Sequence, residues 1–143
     1  MQTTDFSSQL VQDYLTGKEI AVLATVNPNG TPLATPMWFV HDDAGFGMVT
    51  HADMQKMKNL AINPNVSVVV ESGSGGNIEC VIVQGTVETL ATQADRECMG
   101  EMFINKYGKH MENRWGGRSV PQSRALVRIR PTRVKLWGSL ASD

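Results

Sequence analysis

The sequence predicts a mainly β fold, an antiparallel, Greek-key-like β-barrel with flanking helices. About seven strand-like runs joined by short turns are most economically closed as a barrel. The few helical segments do not alternate regularly with the strands, which excludes a doubly wound parallel sheet. No GxGxxG or GxxxxGK[ST] phosphate loop is present either.

Taken in order, Asp5 to Leu15 sets Phe6, Leu10, Val11, Tyr14 and Leu15 at helical spacing, with Gly17 as the stop. Glu19–Val26 is an apolar, β-capable run, and Asn-Pro-Asn-Gly at 27–30 is a hairpin signal before Thr31–Val40. Pro32 and Pro36 mark part of that second strand as an edge or a bulge. His41–Gly45 reads as a turn and Phe46–Thr50 as a third strand. Asp53 is the expected cap of a helix reaching Ile62, with Met54, Met57, Leu60 and Ala61 as its inner stripe. Val66–Glu71 is a strand, Ser72–Gly76 a flexible glycine-serine loop, and Asn77–Leu90 a long strand bent at Gly85. Thr92 opens a helix with Asp95 in capping position, expected to end at Gly108. Lys109–Gln122 has no period and reads as loop. Two strands, Arg124–Arg130 and Arg133–Trp137, are separated by Pro131.

At 143 residues the chain is long enough for one real hydrophobic core and reads as a single domain, 1–143. Thirteen basic against fourteen acidic residues leave no surplus for a nucleic-acid face. No run approaches the roughly 20 apolar residues of a membrane helix. The first residues lack a secretory pattern. Cys80 and Cys98 share no metal-ligand spacing and read as small hydrophobes, so a cytoplasmic protein is expected.

Lys56 and Lys58 lie just inside the helix that follows the third strand. Free N–H groups and the positive dipole end favour an anion there, and Thr50 and His51 add donors. Two residues apart, the lysines point about 200° apart. Spacing alone favours a solvated surface pair. Alternation sends Trp38 to the opposite face from Met37 and Phe39. Trp115, in a stretch without period, suits an interface or a pocket mouth. The three histidines, His41, His51 and His110, show no metal spacing, and Gly73-Ser74-Gly75 lacks the frame of a nucleophile elbow. With no self-evident acid, base or nucleophile, any catalysis is expected to rest on a bound cofactor.

The order ATVNPNGTPLATPMWFVHDD, GMVTHADMQKMKNLAINPNVSVVVE, VIVQGTVE and VRIRPTRVKLWG resembles the pyridoxamine 5′-phosphate oxidase-like family of FMN-binding split barrels, over Ile20 to Gly138. The resemblance implies an FMN-dependent oxidoreductase acting on a small-molecule substrate, as a homodimer with the cofactor in clefts at its interface. It implies that Pro36, Met37, Trp38 and Phe39 face the isoalloxazine ring. Thr50 and His51 then lie beside the ribityl-phosphate, Lys56 holds the phosphate, and Lys58 is a second basic contact. Cys80 corresponds to a flavin-facing glutamine of the oxidase, and Trp115 is expected to close the pocket from the partner subunit. Met54 stands where many relatives carry an arginine. Residues 138–143 hold no arginine-histidine pair of the kind that grips pyridoxal phosphate, so vitamin B6 oxidation is not implied. The alternatives are coenzyme F-420, a deazaflavin whose extra carboxylates would call on Arg114, Arg118 and Arg124, and a non-enzymatic flavin- or haem-binding module.

Overall fold

The computed structural model describes residues 2–141. A short strand β1 (Gln2–Thr4) leads into helix α1 (Gln9–Leu15). Strands β2 (Ile20–Val26), β3 (Pro32–Asp42) and β4 (Gly45–His51) form a meander, followed by helix α2 (Gln55–Ile62). A hairpin of β5 (Asn65–Ser74) and β6 (Asn77–Thr89), helix α3 (Gln93–Trp115) and strand β7 (Arg124–Gly138) complete the fold. The strand order is β1-β7-β4-β3-β2-β5-β6, and β6 pairs back onto β7. Six strands therefore close an antiparallel barrel, with β1 laid against β7 outside the ring. Because α2 carries the chain across, β5 pairs with β2 instead of β4, which is the Greek-key order.

Alternation builds the core. Val68 and Val70 of β5 and Val81 and Val83 of β6 all point inward and are fully buried, and α1 adds Val11 and Leu15 to the same cluster. A second cluster lies outside the barrel. Met99, Phe103, Tyr107 and Met111, spaced by four along α3, cover Val40, Val49 and Leu126. β4 is thus covered on both faces, and Gly45 to Thr50 are all buried.

Several elements differ from expectation for identifiable reasons. β1 is absent from the sequence reading because three residues carry no period. α1 starts only at Gln9, where Ser8 accepts a hydrogen bond from Val11 N–H at 3.4 Å, and Phe6 is buried ahead of the helix. His41 and Asp42 extend β3, and strand β5 runs on to Ser74, so only Gly75 and Gly76 turn the chain. Gly108 does not end α3. It leaves room for the returning Arg118 side chain, 3.1 Å from where a Cβ would stand. The helix continues to Trp115 and stops at Gly116, whose φ of 76° is left-handed.

Pro131 does not split the last strand either. β7 runs unbroken through a bulge, where Gln84 pairs with Arg133 and Gly85 with Pro131. The missing proline N–H falls at the irregularity, and Gly85 lets the strands close, since a Cβ there would collide with the Arg130 carbonyl oxygen. Gly85→Ala is accordingly expected to lower stability by about 2 kcal/mol. Gly75→Ala, in open space, is expected to shift it by under about 0.5 kcal/mol. Urea denaturation of both variants checks the contrast.

Candidate functional site

β3 exchanges one neighbour for another along its length. Residues Pro32 to Trp38 pair with β2, whereas pairing with β4 covers only Phe39 to Asp42, ending at Phe39 opposite Met48. β4 pairs with β7 from Phe46 to His51, so beyond Met48 its residues Val49, Thr50 and His51 are held by β7 and not by β3. Pro32 and Pro36 sit in the half paired only with β2, where an N–H on the open side is not needed. The parting of β3 from β4 opens a cleft of about 470 Å³, with Pro36, Met37 and Trp38 on one wall and Val49, Thr50 and His51 on the other.

α2 closes one end and sets Lys56 inside. Asp53 does not cap it. The cap residue is Met54, with no side-chain hydrogen bond, and Asp53 instead pairs with His51 at 3.1 Å. The buried face is Lys56, Asn59 and Leu60, whereas Met54 and Ala61 of the expected inner stripe are exposed. Asn59 is fully buried. Its amide nitrogen donates to Thr25 Oγ1 at 3.0 Å and Asn27 Oδ1 at 2.8 Å, and its oxygen accepts from Gln55 at 2.9 Å. These bonds pin α2 to the β2–β3 hairpin, and Lys56, one turn earlier, shares that face.

Lys56 is only 7% exposed. Its ammonium lies 3.1 Å from the Met37 sulfur, a weak acceptor, and among the described residues no carboxylate pairs with it. Burial holds its pKa below the ordinary lysine range. A buried ammonium in this state is under-satisfied, and an anion entering the cleft would complete its shell.

The far end is aromatic and cationic. Trp38 stacks on Tyr107 with centroids 4.6 Å apart, and Trp115 meets Trp38 edge-on at 5.7 Å. The Tyr107 hydroxyl accepts from the Phe39 N–H at 3.0 Å and reaches the Glu19 carbonyl at 2.6 Å, tying α3 to the barrel. Burial raises its pKa. Arg114 lies 5.8 Å from the Trp38 ring, and Arg124 lies 5.7 Å from that of Trp115. The Trp115 Nε1 and Arg124 Nε donors are buried without a partner among the described residues.

The cleft therefore gathers Pro36, Met37, Trp38, Thr50, His51, Lys56 and Trp115 of the residues singled out from sequence. Three others are elsewhere. Phe39 alternates into the barrel core and is fully buried, so only its backbone neighbours the cleft. Lys58, two residues from Lys56, is exposed on the other side of α2. Cys80 sits on β6 between Glu71 and Trp137, its thiol pKa raised by burial, and does not line the cleft. Trp115 ends a helix instead of occupying a loop. Ile20 and Val49 also line the cleft. Their apolar character carried no signal of a site, and Arg114 reaches it only because α3 outruns Gly108.

The family model for pyridoxamine 5'-phosphate oxidase matches residues 7–138. Among solved structures, an FAD-binding protein from Mesorhizobium loti has a TM-score of 0.73 at 23% identity, over 94% of this chain and 95% of that one. HutZ, a heme storage protein from Vibrio cholerae, has a TM-score of 0.70 at 18% identity, over 90% and 91%. A conserved hypothetical protein from Mycobacterium tuberculosis has a TM-score of 0.74 at 24% identity, over 92% and 84%. At these identities the likeness is one of fold. No curated protein sequence matches the chain.

Removing the Lys56 charge is expected to stabilise the ligand-free protein. Lys56→Met should gain about 1 kcal/mol in urea denaturation, because a costly buried ammonium is replaced by an apolar chain. Inorganic phosphate should raise the wild-type midpoint and leave the variant unmoved. In the unfolded chain lysine stays protonated to about pH 10.4. Below that value, and above the lowered native pKa, the unfolded state binds the extra proton, so Lys56 contributes a rise of stability with pH. The variant should lack that contribution, while it keeps the similar one of Lys106, lowered to about 8 by burial, and the opposing ones of Cys80, Tyr14 and Tyr107, which burial raises.

Proposed function

The chain belongs to the pyridoxamine 5'-phosphate oxidase family, and on that premise we propose that it is an FMN-dependent oxidoreductase acting on a small molecule. The observation that carries the reading is Lys56, a buried ammonium facing the cleft whose partner among the described residues is a thioether. Such a group suits a flavin phosphate, an anion that would offset the cost of burying the ammonium. Thr50 and His51 line the same end and supply a hydroxyl and an imidazole. Pro36, Met37 and Trp38 offer a wall for the ring system. Met54, half-exposed at the helix start, adds apolar cover where an arginine would have added charge. A bound flavin supplies the redox chemistry, and the chain's own residues bind, orient and exclude water.

The cleft is completed, on this reading, by a second copy of the chain. Ile20 and Val22 are 50% and 37% exposed on the outer face of β2, beside Val69 of β5. Ile20 belongs both to this apolar strip and to the cleft, so a copy seated on the strip reaches the cofactor.

Two other ligands share the cleft as readings. Arg114 and Arg124, which line the same cleft as Lys56, suit the additional carboxylates of coenzyme F-420. His51, held by Asp53 at 3.1 Å, has the carboxylate-oriented imidazole of a metal ligand and suits haem. FMN titration decides among the three. FMN is expected to quench on binding, and Lys56→Met to weaken it at least about tenfold, some 1.4 kcal/mol. No quenching, with a Soret shift on adding haemin or quenching of the deazaflavin alone, would replace FMN by that ligand.

A further inference from the structure

A second cleft lies on the other side of the Phe39–Tyr107 wall, between the α1–β2 connection, the end of β3 and the middle of α3. It encloses about 510 Å³, and Val40 and Met102 give it apolar sides. Its charged groups are Lys106 and, exposed to solvent, the Glu19 carboxylate. The ammonium donates to the Phe39 carbonyl at 2.9 Å and sits 3.6 Å over the Phe39 ring. No carboxylate among the described residues pairs with it, and the nearest, Glu19, is engaged by His110 at 3.6 Å. An ammonium carries three donors, and the Phe39 carbonyl uses one.

His41 supplies the complement. The Gln12 amide nitrogen donates to the carbonyls of Phe6 and Asp42, so its oxygen must accept, and His41 Nδ1, 2.9 Å away, carries the proton. The lone pair of a neutral His41 is therefore on Nε2. Its neighbour at 3.5 Å, the Thr16 hydroxyl, already donates to the Gln12 carbonyl. The cleft thus holds an under-satisfied cation and an unclaimed acceptor between two apolar side chains.

We propose that this cleft is a second ligand site, taking a small carboxylic acid whose carboxylate meets Lys106 and whose hydroxyl donates to His41. The site is independent of the flavin cleft, because neither Lys56 nor any wall of that cleft lines it. The groups facing Lys106 and His41 are Glu19 from the connection, Asp42 from β3 and His110 from α3. Burial lowers Lys106 to about 8 and, with the Lys106 charge, keeps His41 below its ordinary range. At pH 7 the lysine is charged and the histidine neutral, the pair of states that the ligand requires.

The test is titration of the full-length protein with 4-hydroxybenzoate, followed by backbone amide NMR. Shifts should be confined to residues 16–19, 40–41 and 102–110. Binding should weaken as pH rises through about 8, at least tenfold once Lys106 is neutral, and neutral 4-hydroxybenzyl alcohol should cause no shifts. Lys106→Met should lose binding at least tenfold and Lys106→Arg retain it. If Lys106→Met does not fold, Lys106→Gln and the wild-type pH profile carry the test. No binding, shifts around Lys56 instead, equal binding of the alcohol, or affinity unchanged across that pH range would overturn the assignment.

Discussion

The structure turns on the parting of two strands. β3 leaves β4 after Phe39 and Met48, and everything about the principal cleft follows from that divergence. A fully paired β3 would bring Met37 and Trp38 against Val49 and Thr50 and leave no room for a ligand. Instead the half of β3 away from β4 carries two prolines, which tolerate a one-sided partner, and β4 stays on β7 throughout. The chain gives up a stretch of ladder hydrogen bonds and gains a walled volume.

Two buried side chains keep that opening in one shape. Asn59 ties α2 to the β2–β3 hairpin, and the Tyr107 hydroxyl ties α3 to the backbone at Phe39 and Glu19. Both are polar groups in dry surroundings, and both are satisfied, which is the condition under which buried polarity rigidifies a fold. Lys56 is the contrasting case. It shares a helix face with Asn59 yet among the described residues has only a sulfur acceptor, so stability is lowered at the place where an anion would bind. Strain of this kind at one residue, amid well-satisfied neighbours, is the pattern expected of a binding site.

Much of the barrel was legible in the sequence, because strands of alternating apolar residues between turn signals obey a simple period. Legibility failed where tertiary contacts override local cues. Pro131 looks like a break until the bulge at Gly85 absorbs it, and Gly108 looks like a helix stop until Arg118 fills the space above it. Asp53 looks like a cap, but His51 claims its carboxylate. At the site, Lys56 and Lys58 were indistinguishable by composition, and only the orientation of α2 separates the buried one from the exposed one. Cys80 could not be assigned by correspondence, since its place depends on which strands flank β6. Arg114 and Arg124 come to one cleft from α3 and β7, a juxtaposition that no spacing encodes.

The account rests on Lys56 as an anion anchor in a cleft made by divergent strands. A crystal structure of the protein soaked with FMN tests it most directly. The account predicts a phosphate oxygen within hydrogen-bonding distance, about 3 Å, of Lys56 Nζ, with the ring system along Pro36 to Trp38. A flavin bound elsewhere, or bound in this cleft with its phosphate away from Lys56, would contradict it.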